Sequence, residues 1–133
     1  MKLSVVIPAY NEEESIGETL HSLYKTLSNH NIDHEIWVTN DNSKDGTALR
    51  LKELQKEIPT LVFETNKGPN GFGYAVRYGL ERFSGDCVAV FMADMSDDPE
   101  DLVKYYRTMQ EQQVDAVFGN RWGKGGKVIL QGL

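Results

Sequence analysis

The residues whose type and spacing can do chemistry are carboxylates that follow strand-like stretches. Asp41 lies in Asn40-Asp41-Asn42-Ser43, directly after Glu35 to Thr39, and Asp94 and Asp97 lie in Ala93-Asp94-Met95-Ser96-Asp97, after the apolar run Cys87 to Phe91. Asp94 is flanked by Ala93 and Met95, does not start a helix, and has no evident turn role in the sequence. The pattern predicts a partly buried carboxylate, which must be paired or bind a metal; Mg2+ and Mn2+ prefer such oxygen ligands. Asp45 before Gly46 and Asp98 before Pro99 read more simply as a turn residue and a helix N-cap.

A second chemical signal is the glycine-rich segment from Gly68 to Gly79. Its Gly71-Phe72-Gly73 partly echoes a dinucleotide fingerprint but lacks the third glycine, and G-x-x-x-x-G-K-[ST] is absent, which excludes a P-loop. What remains is a loop whose amides and following helix could approach a phosphate or the edge of a nucleotide, with Lys67 and Arg77 as countercharges. Arg121, after the last predicted strand, is a further basic group placed to meet an anion. His21, His30 and His34 fall on the first helix and the turn after it, and Cys87 reads as a buried, inert thiol. G-x-S-x-G is absent and no Ser/His/Asp set assembles, so a nucleophilic hydrolase has no support.

These residues are positioned by alternating elements. Five strands are predicted at Leu3 to Ile7, Glu35 to Thr39, Leu61 to Glu64, Cys87 to Phe91 and Asp115 to Phe118. Between them, Ile16, Leu20, Leu23, Tyr24 and Leu27 follow at helical spacing, with Asn11 as cap and Glu14 as its capping-box partner. Leu51, Leu54 and Ile58 mark a second helix, Ala75, Val76, Leu80 and Phe83 a third, and Leu102, Val103, Tyr106 and Met109 a fourth. Strands alternating with helices imply an α/β fold, a Rossmann-like, mostly parallel sheet with helices on both faces. In such sheets ligands bind outside the carboxyl ends of the strands, and that is where the small, amide and carboxylate residues gather.

The whole chain, 133 residues with 40% hydrophobic and 26% charged, suits one soluble domain spanning 1–133. No apolar run approaches the roughly 20 residues of a membrane helix, and no charged leader precedes an apolar stretch. A single cysteine excludes an internal disulfide and fits a cytoplasmic location. Net charge −6 argues against a nucleic-acid surface, so an anionic ligand needs a local device to hold it.

Taken together in order, the loops resemble the family 2 nucleotide-sugar glycosyltransferases of the GT-A fold, most closely the dolichol-phosphate mannose synthase-like branch. Val5-Val6-Ile7-Pro8-Ala9-Tyr10-Asn11-Glu12 resembles the family's opening strand motif, and Asn40-Asp41-Asn42-Ser43-Lys44-Asp45-Gly46-Thr47 its "DDxSxDGT" motif. The run from Gly71 to Leu80 is similar to its glycine-rich helix start, Met92-Ala93-Asp94 to its "DxD" metal motif, and Gly119-Asn120-Arg121 to its "GSR".

The resemblance implies a nucleotide-diphosphate sugar donor lying across the first two strands. Pro8, Tyr10 and Glu12 would line base and ribose, Asp41 would hydrogen-bond the base, and Gly71 would approach the donor. Asp94, with Asp97 second, would hold Mg2+ or Mn2+ at the diphosphate, and Arg121 would assist there. The implied reaction is an inverting sugar transfer, with a polyprenyl phosphate at the inner face of the membrane as acceptor. Two departures are plain: the first acidic position of "DxD" is Met92, and that of "DDxS" is Asn40. Family members continue well past Arg121 with an acceptor-binding half, so these residues are expected to form the donor half, with no acceptor-side base among them. The alternative is a module that binds nucleotide and metal without transferring a sugar.

Overall fold

The computed structural model describes residues 1–112, 116–118 and 129–132. Strands β1 (Leu3–Ala9), β2 (His34–Asn40), β3 (Leu61–Thr65) and β4 (Cys87–Val90) alternate with helices α1 (Ile16–Asn29), α2 (Thr47–Glu57) and α3 (Phe72–Leu80). Helix α4 (Pro99–Gln112) then leads to β5 (Ala116–Phe118) and β6 (Ile129–Gly132). The sheet order is β3-β2-β1-β4-β6-β5. β3, β2, β1 and β4 are mutually parallel, whereas β6 runs antiparallel to both β4 and β5. The mostly parallel α/β sheet is therefore as expected, with one difference. A sixth strand, β6, inserts between β4 and β5, whereas the sequence predicts no strand after Phe118. Its signal was the short apolar run Val128-Ile129-Leu130, too brief to separate from a loop by periodicity.

The two faces of the sheet are covered unequally. Leu3, Val5, Ile7, Ile36, Val38, Cys87 and Ala89 point to one side, where they pack with the buried stripes of α1, α2 and α4 in the main core. Alternate residues Val6, Trp37 and Val88 point to the other side and meet Tyr78 of α3. Helix α3 comes close because Gly79 faces the sheet: a Cβ there would stand 2.6 Å from Val6 Cγ1 and 3.4 Å from Thr39 Oγ1. The buried face of α3 is Ala75, Tyr78 and Gly79, while Leu80 is 40% exposed, so the apolar positions predicted at Val76 and Leu80 are not the inner face. Ala75 is buried as expected, whereas Gly79 sets the close contact, and a search for apolar side chains at helical spacing passes over a glycine.

Helix starts also differ. Asn11 does not cap α1; the helix begins at Ile16 after Ser15, and Ser15 makes no side-chain capping bond. Asn11 instead takes a left-handed φ of 53°, which asparagine tolerates, and its Oδ1 accepts the Lys44 backbone N–H at 2.8 Å. Asp98 does act as expected: its Oδ1 accepts the Glu100 backbone N–H at 2.9 Å where Pro99 opens α4. Cys87 is fully buried and its thiol is pushed up to about 11, by burial first and by Asp86 second, which keeps it protonated and inert. No helix among the described residues is long and apolar enough to cross a membrane.

Candidate functional site

At the carboxyl ends of β1, β2 and β4 the loops leave a cavity of about 640 Å3. Pro8, Ala9, Tyr10 and Glu12 from the end of β1 line it, with Asp41, Asn42 and Lys44 after β2, Asn70 to Phe72 and Ala75 at the start of α3, and Met92 and Ala93 after β4. Five of the residues singled out in the sequence, Pro8, Tyr10, Glu12, Asp41 and Gly71, are brought together here from positions up to 63 apart in the chain.

The first two loops are stitched to each other. Asn11 N–H donates to Ser43 Oγ at 3.0 Å and Glu12 N–H to Thr47 Oγ1 at 2.9 Å, while Gly46 N–H donates to Glu13 Oε1 at 3.1 Å. Asp45 accepts the Thr47 backbone N–H at 2.9 Å and the Thr47 hydroxyl as well, the turn role expected of it. The Thr47 hydroxyl bond, ahead of the opposing effect of desolvation, holds the Asp45 carboxyl below its ordinary range. The β4 loop is tied in from below, because Ala93 O accepts the Thr19 hydroxyl at 3.0 Å and lies 3.1 Å from Ser15 Oγ. The walls therefore stand on α1 and on each other, so the cavity is largely pre-formed.

Asp41 sits at the inner wall, 6% exposed. Its Oδ2 accepts the Gly71 backbone N–H at 2.8 Å and its Oδ1 accepts Asn66 Nδ2 at 2.9 Å. Gly71 has φ 132° and ψ 154°, a conformation essentially restricted to glycine, and this aims its N–H at the carboxylate as α3 begins. Tyr10 and Phe72, each about half exposed, offer flat apolar faces at the cleft. A carboxylate acceptor in a cleft that aromatic faces also line suits a planar heterocycle with a ring N–H.

Asp94 directly follows the lining residue Ala93 and is exposed, not partly buried as the apolar run before it suggested. Its Oδ1 accepts the Ser96 backbone N–H at 3.0 Å, a turn role that the sequence did not reveal. Met95 beside it holds a left-handed φ of 66°, uncommon for such a side chain and the kind of strain that gathers at functional loops. Asp97 is buried, and its Oδ2 accepts the Met92 backbone N–H at 2.9 Å, bracing the loop from inside. Among the described residues no three His, Cys, Asp or Glu side chains gather into a self-sufficient metal cage. A hard cation that keeps several waters needs only one or two carboxylates plus phosphate oxygens, and the exposed Asp94 is a donor of that kind.

The cavity wall carries Glu12 and Asp41 against Lys44 alone, so a diphosphate entering it meets little countercharge from the described residues. Lys67 and Arg77, expected as countercharges, lie instead with Tyr74 and Arg82 around a separate depression of about 510 Å3 on the flank of α3. They belong to the outer side of the helix, because the β3–α3 loop folds over the cleft through Asn70 and Gly71 and turns Lys67 away. Arg121 lies outside the described residues. Missed in the sequence were Asn42, Lys44, Asn70 and Phe72, which line the cavity, and the buried Asn66 behind it. The signal available was their place in the loops after β2 and β3 and, for Phe72, in the glycine-rich segment.

The model of the family described as glycosyl transferase family 2 matches residues 4–131. A dolichol-phosphate mannosyltransferase of Pyrococcus furiosus is 36% identical over 128 residues, 96% of this chain and 35% of that protein. The chain therefore spans about a third of the length of that curated relative. Among solved structures, glucosyl-3-phosphoglycerate synthase of Mycobacterium tuberculosis in complex with Mn2+, UDP and phosphoglyceric acid is 25% identical, with a TM-score of 0.66 over 81% of this chain and 38% of that one. A mannosyltransferase of Pyrobaculum calidifontis in complex with GDP-Man and Mn2+ has a TM-score of 0.78 over 98% of this chain and 44% of that one; at 20% identity this is a likeness of fold.

Proposed function

The chain belongs to glycosyl transferase family 2, and from that premise we propose that residues 1–133 form the donor-binding half of an inverting glycosyltransferase. The donor is a nucleotide-diphosphate sugar and the acceptor a polyprenyl phosphate at a membrane surface. The observation that carries the donor site is the cleft itself, in which Asp41 stands at the inner wall with Tyr10 and Phe72 at the opening. The acceptor class is supported by the 36% identity to a dolichol-phosphate mannosyltransferase.

In this reading Asp41 accepts a ring N–H of the base, Tyr10 and Phe72 flank it, and Pro8 and Glu12 line base and ribose. The diphosphate then lies toward Met92, Ala93 and Asp94, and Lys44 is the cation among the described lining residues. Asp94 would hold Mg2+ or Mn2+ there, with Asp97 as the second candidate and Arg121 assisting at the phosphates. The ion's chemistry is to neutralise the diphosphate as it leaves. A metal in this role is supported by the Mn2+ in the 25%-identical synthase and by the shortage of basic side chains among the described residues of the cavity. In the transfer an acceptor phosphate oxygen attacks the anomeric carbon, a new C–O bond forms, and the bond to the diphosphate breaks on the opposite face. A phosphate monoester is already deprotonated near neutral pH, so no strong base is required of the protein.

A second reading, a module that binds nucleotide without transfer, is favoured by Met92, an apolar side chain lining the cavity where the resembled motif begins with a carboxylate.

Thermal shift with UDP, GDP, CDP and dTDP, each with and without Mn2+, tests the donor site. Stabilisation of about 2.7 kcal/mol is expected at a hundredfold excess of ligand over Kd. Absence of a shift with every nucleotide would remove both readings. Transfer from the matching nucleotide sugar to a short polyprenyl phosphate separates them: product formation supports the transferase, and nucleotide binding without product supports the module.

A further inference from the structure

We propose that Asn66 is a positioning residue of the base subsite, one that holds the Asp41 carboxylate in the orientation in which it meets the base. The proposal rests on the donor-site reading above. Asn66 is 3% exposed, and every polar group it has is used. Its Nδ2 donates both to Asp41 Oδ1 at 2.9 Å and to Pro69 O at 2.8 Å, and its Oδ1 accepts the Gly68 backbone N–H at 2.9 Å. Its backbone N–H extends the β2–β3 ladder to Asn40 O at 2.8 Å, and its carbonyl accepts Asn42 Nδ2 at 3.0 Å. Asn42 Nδ2 also reaches Asn70 Oδ1 at 2.6 Å. One side chain thus fixes both the 66–71 loop and the carboxylate that the loop encloses.

The consequence follows from the geometry at Asp41. Each oxygen of a carboxylate can accept two bonds, and one on each is already taken, Oδ1 by Asn66 and Oδ2 by Gly71. The acceptor capacity left for a ligand therefore has a fixed direction. With Asn66 removed, Oδ1 loses a charge-assisted partner in a buried place and the carboxylate is free to turn toward another donor. An amide is the side chain that fits, because it gives a donor to Asp41 and an acceptor to Gly68 at once. Aspartate in its place would keep the acceptor but set a second carboxylate against the first.

The test is calorimetric titration of UDP, GDP, CDP and dTDP, each with Mn2+, on the wild type, Asn66→Ala, Asp41→Ala and the double variant. Since ribose and diphosphate are common to UDP, GDP and CDP, the ratio between the best and worst of these three reads the base subsite alone, with dTDP as a further check. A residue that merely stabilised the fold would shift all four together. We expect Asn66→Ala to lower that ratio by about tenfold and to have no further effect on it in the Asp41→Ala background. An unchanged ratio, or the same loss with and without Asp41, overturns the proposal. If Asn66→Ala does not fold, Asn66→Asp is read in the same way, with the same expected loss of base discrimination. Failure of the wild type to bind any of the four removes the donor-site reading, and this one with it; binding with an undisturbed ratio removes only the role of Asn66.

Discussion

The Asp41 carboxylate accepts the backbone N–H of Gly71 at 2.8 Å, joining the end of β2 to the start of α3 across the cleft. This bond couples the acceptor of the base subsite to the course of the loop that closes over it. It also depends on a conformation at Gly71 that only glycine takes readily.

Gly71→Ala is expected to cost about 1–3 kcal/mol, because a Cβ is strained at φ 132° whatever space surrounds it. Space is not the limit, since the nearest atom to that Cβ is Tyr74 Cδ2 at 3.5 Å. Nucleotide affinity should fall along with stability. Denaturant unfolding and UDP or GDP titration check the pair; full stability with full affinity would show that the loop tolerates another path.

Asp94→Asn keeps an oxygen to accept the Ser96 N–H, so the turn after β4 is expected to survive and the melting temperature to hold. The gain in nucleotide affinity on adding Mn2+ should drop by about tenfold or more, the loss of one charged ligand. A variant whose Mn2+ response equals that of the wild type would end the metal role of Asp94.

Gly79→Ala tests the close approach of α3 to the sheet. The added methyl would lie 2.6 Å from Val6 Cγ1, and overpacking of this kind costs about 1–3 kcal/mol. A loss below a few tenths, measured by urea unfolding, would mean that α3 is free to back away.

Acid sensitivity should begin near neutral pH at His34. Burial lowers its pKa from 6.5, outweighing the opposite pull of the Ile32 carbonyl that its Nδ1 meets at 2.9 Å. Below 6.5 the unfolded chain binds this proton more readily than the folded one, so stability falls as pH falls through that window. Glu35 acts lower down. Burial would raise its pKa, but hydrogen bonds from Ser4 Oγ and the Ser84 N–H, both at 2.6 Å, bring it below 4.5, so its share is lost only under stronger acid. His34→Gln should flatten the slope of unfolding free energy just below pH 6.5 and leave the slope below pH 4.5 in place. An unchanged upper slope would exclude His34 as its source.

Much of the fold was legible because parallel strands and their covering helices write strong periodic patterns. Leu102, Val103, Tyr106 and Met109 were read as the inner face of α4, and all four are buried. The pattern failed where packing relies on a residue with no side chain, as at Gly79 of α3, and where a strand is as short as β6. Asp94 follows β4 as the sequence places it but is exposed where partial burial was expected: the strand ends at Val90, and the chain has already turned outward by the time it reaches the carboxylate.

By itself the sequence determined the alternation of strands and helices from β1 to β5, the edge of the sheet on which polar residues collect, and the motifs of glycosyl transferase family 2. These are local properties, set by side-chain period and by which residue follows which strand. Only the tertiary structure decided that Lys44 and not Lys67 or Arg77 lines the cleft, and that Asn66 reaches Asp41 25 positions away while Gly71 reaches it from 30. Those pairings depend on how one loop folds over another, and no period along the chain encodes the direction in which a loop side chain points.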